Sequence, residues 1–288
     1  MKLSVCIVNF NSISNLTNCI KAIYAKNIRF SHEIIVVDNG SIDDSIHSIN
    51  KYFPKIVLIE NINNVGYTKA MNTALKNSSG EYALLLNPDA IIKSNYIESL
   101  VSFMESDNSI GVCGPKVLNV DGSFQKSCRR GIAKPLAVFS YFLNLKIFLP
   151  NDTRLTEYHL DHLSPDQIND VSGVSGSCMI IRSNLFKTLG FLDELFFAYQ
   201  EDSDFCLRVI NHGSRVVYNP EIVVNHIGGE GGSRTYPMRA IFEWHRSYFY
   251  FYNKYFKKDY SLLFNSFYYT VMFMKLIYSE MSFLIRKK

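Results

Sequence analysis

Residues 3–116 alternate between short apolar runs and stretches whose apolar positions return every three or four residues. The runs at 3–10, 33–37, 56–59, 82–86 and 110–112 are mostly β-branched or leucine-rich and predict strands. Between them, Leu16, Ile20, Ile23 and Tyr24, and later Ile97, Val101 and Met104, repeat at helical spacing. Strands alternating with helices of this length predict right-handed βαβ units and a mainly parallel sheet, hence an α/β domain. From 121 to 170 the rhythm is lost. This stretch is aromatic, holds Pro135, Pro150 and Pro165, and carries Arg129 and Arg130. It predicts a long excursion beside a site, with a helix over 136–148. Order returns with a strand over 177–181 and a helix over 184–189 that Gly190 stops. A helix over 201–212 follows, with Phe205, Cys206, Val209 and Ile210 on one face, and then a strand over 215–218.

The last fifty residues have a different pattern. The stretch 244–256 is packed with aromatics and interrupted by Arg246 and Lys254, and Lys257 and Lys258 follow it. No charged residue occurs in 260–274, but Lys275 and Glu280 break the run beyond it. That uncharged run is shorter than the ~20 residues that span a bilayer. Tyr and Phe between basic ends, Lys257–Lys258 before and Arg286, Lys287 and Lys288 after, suit a helix lying at a membrane interface. A helix pair packed on the core, or on a second copy in a homodimer, satisfies the same pattern. The expected division is a catalytic domain over 1–236, itself divided at 120, and a helical, aromatic-rich extension over 237–288.

Composition narrows the class. A chain of 288 residues, 47% hydrophobic and 19% charged, can bury one large core with a small appendage. A net charge of +4, with no dense Lys/Arg block and no zinc spacing, argues against a nucleic-acid partner. The six cysteines are scattered without a C-x-x-C pair, which points to a reducing compartment. Met1 and Lys2 run directly into a strand with no signal-peptide pattern, so a cytoplasmic location is expected.

Three acidic stations follow apolar runs. Asp38 begins Asp38-Asn39-Gly40-Ser41, Asp89 ends Asn87-Pro88-Asp89, and Asp202 lies in Glu201-Asp202-Ser203-Asp204. Loops after the carboxyl ends of parallel strands are where an open α/β sheet binds its ligand. Asp38 to Ser41 are also ordinary turn formers. Read functionally, Asp38 contacts a base or ribose, with Asn11 facing the same crevice. The stretch from Asn63 to Asn72 starts a helix after a strand. It either caps that helix or brings the Gly66 backbone close to a donor, with Lys69 offsetting phosphate charge. In the N-P-D turn, Asp89 can bind Mg²⁺ or Mn²⁺ directly, while Asn87 offers a neutral oxygen. The acids at 201–204 suit a helix N-terminus, and Asp204 can pair with Arg208 at i+4. They also follow an aromatic run, Phe196-Phe197-Ala198-Tyr199, that can wall a pocket around a general base. His226 precedes a glycine-rich loop over 227–233 that suits a flexible lid and does not follow the phosphate-cradling P-loop pattern.

Taken in order, these stations resemble the family 2 glycosyltransferases of GT-A fold, and most of all their rhamnosyltransferase-like branch. The resemblance covers roughly residues 1–250. It is carried by Ser4-Val5-Cys6-Ile7-Val8-Asn9-Phe10-Asn11, Val37-Asp38-Asn39-Gly40-Ser41, Asn64-Val65-Gly66-Tyr67 and Leu85-Leu86-Asn87-Pro88-Asp89. Further on it is carried by Gly173-Val174-Ser175-Gly176-Ser177, Gly190-Phe191-Leu192-Asp193-Glu194 and Phe197-Ala198-Tyr199-Gln200-Glu201-Asp202-Ser203-Asp204. The resemblance implies a Rossmann-like, mostly parallel sheet flanked by helices. It also implies inverting transfer from a nucleotide-diphosphate sugar to a hydroxyl of a glycan or lipid-linked acceptor, on the inner face of the cell membrane. By that analogy Asp38 contacts the nucleotide, Asp89 binds the divalent cation with His226 as a further contact, and Asp202 is the base. Asn11, Gly66, Lys69 and Asn87 fall on the donor side, and Gly176, Tyr199 and Glu201 on the acceptor side. Asn87 departs from the D-x-D form of the metal motif. The Q-x-x-R-W motif of processive synthases is absent, which implies one sugar per encounter. The rival readings are a sugar-phosphate nucleotidyltransferase, which would need a Gly-rich basic loop where this chain has Asn9-Phe10-Asn11-Ser12, and a non-catalytic nucleotide-sugar-binding subunit.

Overall fold

The computed structural model describes residues 1–288 except 26, 43–45, 149–151 and 287–288, and the side chains of 47, 48 and 146. Pro150 of the excursion and the terminal Lys287–Lys288 pair therefore lie outside the described residues.

The expected alternation is present. Strand β1 (Leu3–Asn9) leads to helix α1 (Ile13–Tyr24), β2 (His32–Asp38) to α2 (Ile46–Tyr52), and β3 (Val57–Glu60) to α3 (Tyr67–Lys76). Then come β4 (Tyr82–Leu86), a short β5 (Ala90–Ile92), α4 (Ser94–Ser106) and β6 (Ile110–Leu118). The period of two in β1 sorts its side chains between two cores. Leu3, Val5 and Ile7 join α1, α2 and α4 on one face, while Cys6 and Val8 join α3 on the other. With both faces covered by helices, these strands read as continuous apolar runs. All six cysteines are free and buried.

Strand β6 is longer than its apolar run predicts, because Gly114 and Pro115 interrupt the pattern. Gly114 is needed there: a Cβ would lie 2.5 Å from Val174 Cβ. The excursion holds a two-residue strand β7 (Arg129–Arg130), helix α5 (Pro135–Leu143) and a short α6 (Thr153–Thr156). The helix expected over 136–148 breaks at Asn144, whose φ of 52° is left-handed, and continues only as a 3₁₀ turn over Leu145–Ile147. Next are β8 (Asn169–Asp170), β9 (Gly173–Val174), β10 (Cys178–Arg182), α7 (Leu185–Leu189) and α8 (Glu201–Asn211). The last strand, β11 (Arg215–His226), runs eight residues beyond the expected end, with a register irregularity between Asn219 and Val223 around Pro220. A short α9 (Gly232–Thr235) leads to the long helices α10 (Pro237–Tyr255) and α11 (Leu262–Arg286).

Among the described residues the main sheet is nine-stranded, in the order β3-β2-β1-β4-β10-β6-β11-β5, with β8 also on β11. Strands β1 to β4 are parallel, β10 is antiparallel to both β4 and β6, and β11 is parallel to β6. Helices α10 and α11 pack with α5 into a third, aromatic core around Phe139, Tyr248, Phe251, Tyr252 and Tyr268. Among the described residues no helix is long and apolar enough to cross a membrane.

Candidate active site

The short strand β5 and the overlong β11 explain one station together. Their antiparallel register pairs His226 with Ala90, which places Asp89 beside the histidine although 137 residues separate them (226 − 89). Asp89 Oδ1 lies 3.2 Å from His226 Nε2. Asp89 Oδ2 accepts a hydrogen bond from the Gly228 backbone N–H at 3.1 Å, and Asn87 Nδ2 lies 3.3 Å from the same His226 nitrogen. The other ring nitrogen, Nδ1, is 2.9 Å from Gln125 Oε1, and the Gln125 amide is oriented by its own bond to Asn119 Oδ1. When the His226 proton sits on Nδ1 toward Gln125, the Nε2 lone pair and the Asp89 carboxylate are two neighbouring candidate ligands for a cation. Their separation matches neighbouring ligands of a small octahedral ion, which stand about 3 Å apart. Among the described residues no group of three or more His, Cys, Asp or Glu could hold a metal. A divalent ion held here would thus depend on further oxygens from a diphosphate and water, as Mg²⁺-type sites commonly do.

The second station is built by backbone strain. Tyr199 and Gln200 are both left-handed, with φ of 69° and 62°, unusual for two successive non-glycine residues. The reversal starts α8 with Glu201 and Asp202 buried rather than solvated. Asp202 Oδ2 accepts from the Gly176 N–H at 2.9 Å and from Arg130 Nη2 at 2.5 Å, and its Oδ1 accepts from the Ser203 N–H at 2.6 Å. The turn that carries Gly176 also ties the two stations together, since Asn87 N–H donates to Ser177 O at 2.9 Å. Burial works against the charge on Arg130, but the adjacent Asp202 carboxylate outweighs it and holds the guanidinium firmly protonated. Glu201 is pushed well above the usual carboxylate range, by burial first and by the Asp202 charge second, and its Oε2 has no hydrogen-bond partner among the described residues.

That burial predicts a pH signature for Glu201→Gln. Below the ordinary carboxylate range both folded and unfolded chains carry the proton, and Gln and Glu are equivalent. As pH rises, the unfolded chain ionises first while the fold keeps its proton, so wild-type stability falls until the folded carboxyl ionises too. Glu201→Gln should therefore melt about 3 °C higher than wild type at mildly alkaline pH and no higher in acid. A gain independent of pH in a melting series would refute this account.

The cavity between these stations has a volume of about 450 Å³. Of the eleven residues singled out from the sequence, it is lined by Asn87, Asp89, Gly176, Tyr199, Glu201, Asp202 and His226, and not by Asn11, Asp38, Gly66 or Lys69. Asp38 is closed by its own bonds: Oδ1 accepts from Asn9 Nδ2 at 2.8 Å and Ser41 Oγ at 2.6 Å, and Oδ2 from the Ser41 N–H at 2.9 Å. Its neighbour Asn39 lines the cavity, with its amide held by Asn61, Asn64, Val65 and Gly66. Asn11 Oδ1 accepts from the Ile42 N–H at 3.0 Å, and Lys69 is exposed on α3. Gly66, with φ of 96°, allows a close approach, because a Cβ there would meet Phe197 at 2.7 Å. Arg130, Gln200, Arg239 and the aromatic residues Tyr141, Tyr158, Trp244 and Tyr248 also line the cavity. Their positions come from contacts between distant segments, and only the aromatic, arginine-bearing character of the excursion signalled any of them.

A mixed sheet of this order, with the carboxylate–histidine pair and the buried acid on one cavity, defines a glycosyltransferase of GT-A fold. The chain belongs to glycosyl transferase family 2, whose model matches residues 4–190. It is 28% identical over 204 residues to the N-acetylglucosaminyl-diphospho-decaprenol L-rhamnosyltransferase of Mycobacterium tuberculosis, covering 67% of this chain and 66% of that protein. It is 29% identical to the low-salt glycan biosynthesis hexosyltransferase Agl10 of Haloferax volcanii, covering 72% of this chain and 61% of that one. The match thus spans 66% and 61% of these relatives, less than two thirds of each. Among solved structures, Staphylococcus aureus TarS 1-349 has a TM-score of 0.55 at 20% identity, covering 84% of this chain and 65% of that chain. The mannosyltransferase PcManGT of Pyrobaculum calidifontis, solved with GDP-Man and Mn²⁺, has a TM-score of 0.56 at 15% identity, covering 85% and 62%. Membership of this family sets aside the nucleotidyltransferase and the non-catalytic subunit.

Proposed function

We propose that this chain is an inverting, non-processive glycosyltransferase. It would move one sugar, with rhamnose the leading candidate, from a nucleoside-diphosphate donor to a hydroxyl of a glycan or lipid-linked acceptor in surface polysaccharide synthesis. The observation that carries the reading is the shared cavity: the Asp89–His226 pair and Asp202 line one chamber. The neighbouring structure with GDP-Man and Mn²⁺ supports a nucleotide sugar and a divalent cation as the ligands.

In this reading Asp89 and His226 hold the cation, with Asn87 beside them. The bound ion supplies charge compensation for the departing diphosphate. Asp202 takes the proton of the acceptor hydroxyl as that oxygen attacks the anomeric carbon from the face opposite the diphosphate, so a single displacement inverts the centre. Its position is held by the Gly176 and Ser203 N–H groups. Asp38, Asn39 and Asn11 shape the turns at the nucleotide side of the cavity. Residues 1–236 form the catalytic domain and 237–288 the extension.

A thermal-shift screen of nucleotide sugars with and without Mn²⁺ tests this. One donor should raise the melting temperature in a cation-dependent way, and Asp89→Ala should lose the cation-dependent part. No shift from any nucleotide sugar would remove the reading; an equal shift without the ion would remove the metal role.

The extension is assigned to the cytoplasmic face of the membrane. Along α11, Leu263, Phe267, Met274, Tyr278, Met281 and Ile285 are exposed with spacings of three, four and seven residues. Exposed Lys257 and Lys258 precede this face and Arg286 ends it. Replacing Leu263, Met274 and Met281 by Glu should release the protein from anionic vesicles without changing its fold, whereas unchanged sedimentation with vesicles would overturn the assignment.

A further inference from the structure

The cavity has an aromatic wall for which donor binding and deprotonation give no use. Tyr141 of α5 stacks on Tyr158 with ring centroids 4.9 Å apart and planes at 22°. Trp244 and Tyr248 of α10 lie 4.7 Å apart, and Tyr141 is 6.4 Å from Trp244. The Tyr158 and Tyr248 hydroxyls bond to each other, and Gln200 Nε2 donates to Tyr158 Oη at 3.3 Å. This wall is locked in place yet incompletely covered, with Tyr141 40% exposed.

Two further observations point to a ligand. Arg130 Nε, Gln200 Oε1 and Glu201 Oε2 are buried without a hydrogen-bond partner among the described residues, and all three residues line the chamber. Glu201 and Gln200 are 5% and 2% exposed. A second cavity of about 240 Å³, reaching Lys126, Asn144 and Thr156, adjoins the first through Tyr141, Tyr158 and His159. Flat apolar faces beside unused donors and acceptors match a sugar ring, whose C–H faces are apolar and whose rim is hydroxylated. Pockets that fix orientation this way combine an aromatic lining with a few placed polar groups. A diphosphate, by contrast, needs the cation station.

We propose that Tyr141, Tyr158 and Trp244 form a saccharide subsite for the acceptor, with the ring on the aromatic wall, its hydroxyls toward Arg130, Gln200 and Glu201, and a second sugar unit extending past Tyr141 into the adjoining cavity. The assignment of this sugar as acceptor rests on the transferase reading above. Glu201 fits the role because its raised proton affinity lets it donate as well as accept near neutral pH.

The chain has one tryptophan, Trp244, so its emission reports on the wall. The full chain is titrated with glucose, N-acetylglucosamine and rhamnose, and with the disaccharides cellobiose and chitobiose. At least one saccharide should change the emission, its disaccharide acting at about tenfold lower concentration. Tyr141→Ala should raise the midpoint about tenfold while leaving the nucleotide-sugar shift unchanged. No emission change with any probe, or one that Tyr141→Ala leaves intact, would overturn the subsite; equal midpoints for mono- and disaccharide would overturn the extension. A saccharide response without any nucleotide-sugar shift would support the subsite and overturn the donor reading instead.

Discussion

Asp202→Asn should lower transfer about 10²- to 10⁴-fold while leaving donor affinity within about twofold. The amide keeps the size of the side chain and an oxygen for the Gly176 N–H, so the turn that joins the two stations should persist. It cannot take a proton. It also leaves Arg130 without its 2.5 Å counter-charge, and that loss will show as a lower melting temperature. Rates must therefore be read well below the melting transition, with nucleotide-sugar binding measured on the same sample. The diagnostic pattern is a fall in kcat with little change in donor Kd, as for a group that acts only in the transition state. Turnover near wild type would show that another group takes the proton.

Much of this arrangement was legible from the residues, and the limits have physical causes. Buried strands are apolar on both faces, so β1, β2 and β4 stood out wherever the run was unbroken. Strand β6 was read short because Gly114 and Pro115 interrupt it, and Gly114 is there to admit Val174. Strand β5 went unseen because three residues show no period, and its worth lies in the register that brings Asp89 to His226. Asp202 was visible as an acid after an aromatic run, whereas Arg130, its ion-pair partner, comes from a segment without rhythm. A pairing across 72 residues (202 − 130) leaves no local signature. Asp38 shows the opposite case. Its turn-forming neighbours predict what the structure contains, a carboxylate hydrogen-bonded by Asn9 and Ser41.

The largest loss of stability should come from Asp204→Asn. The i+4 pairing with Arg208 expected from the sequence is present at 2.9 Å, but it is only part of the cluster. Asp204 is fully buried, and its Oδ1 also accepts from Lys254 Nζ at 2.6 Å and Tyr255 Oη at 2.7 Å. Lys254 in turn bonds Asp193 Oδ2 at 2.6 Å. One carboxylate thus clamps the last turn of α10 to the first turns of α8, two residues from Asp202. Removing the charge from a buried pair costs about 3 kcal/mol, because the cations stay desolvated without their partner. For a chain of this size that lowers the melting temperature by about 5 °C. Lys254→Met should cost less, since Lys254 is partly exposed and Asp204 keeps Arg208 and Tyr255. Combined, the two changes should cost about 1–3 kcal/mol less than their sum, because each removes the same contact. Strict additivity in a double-mutant cycle would mean that α8 and α10 are held together by the aromatic core alone. A real coupling would instead tie the helix proposed to carry the base to the extension proposed for the membrane, so that disturbing one is felt in the other.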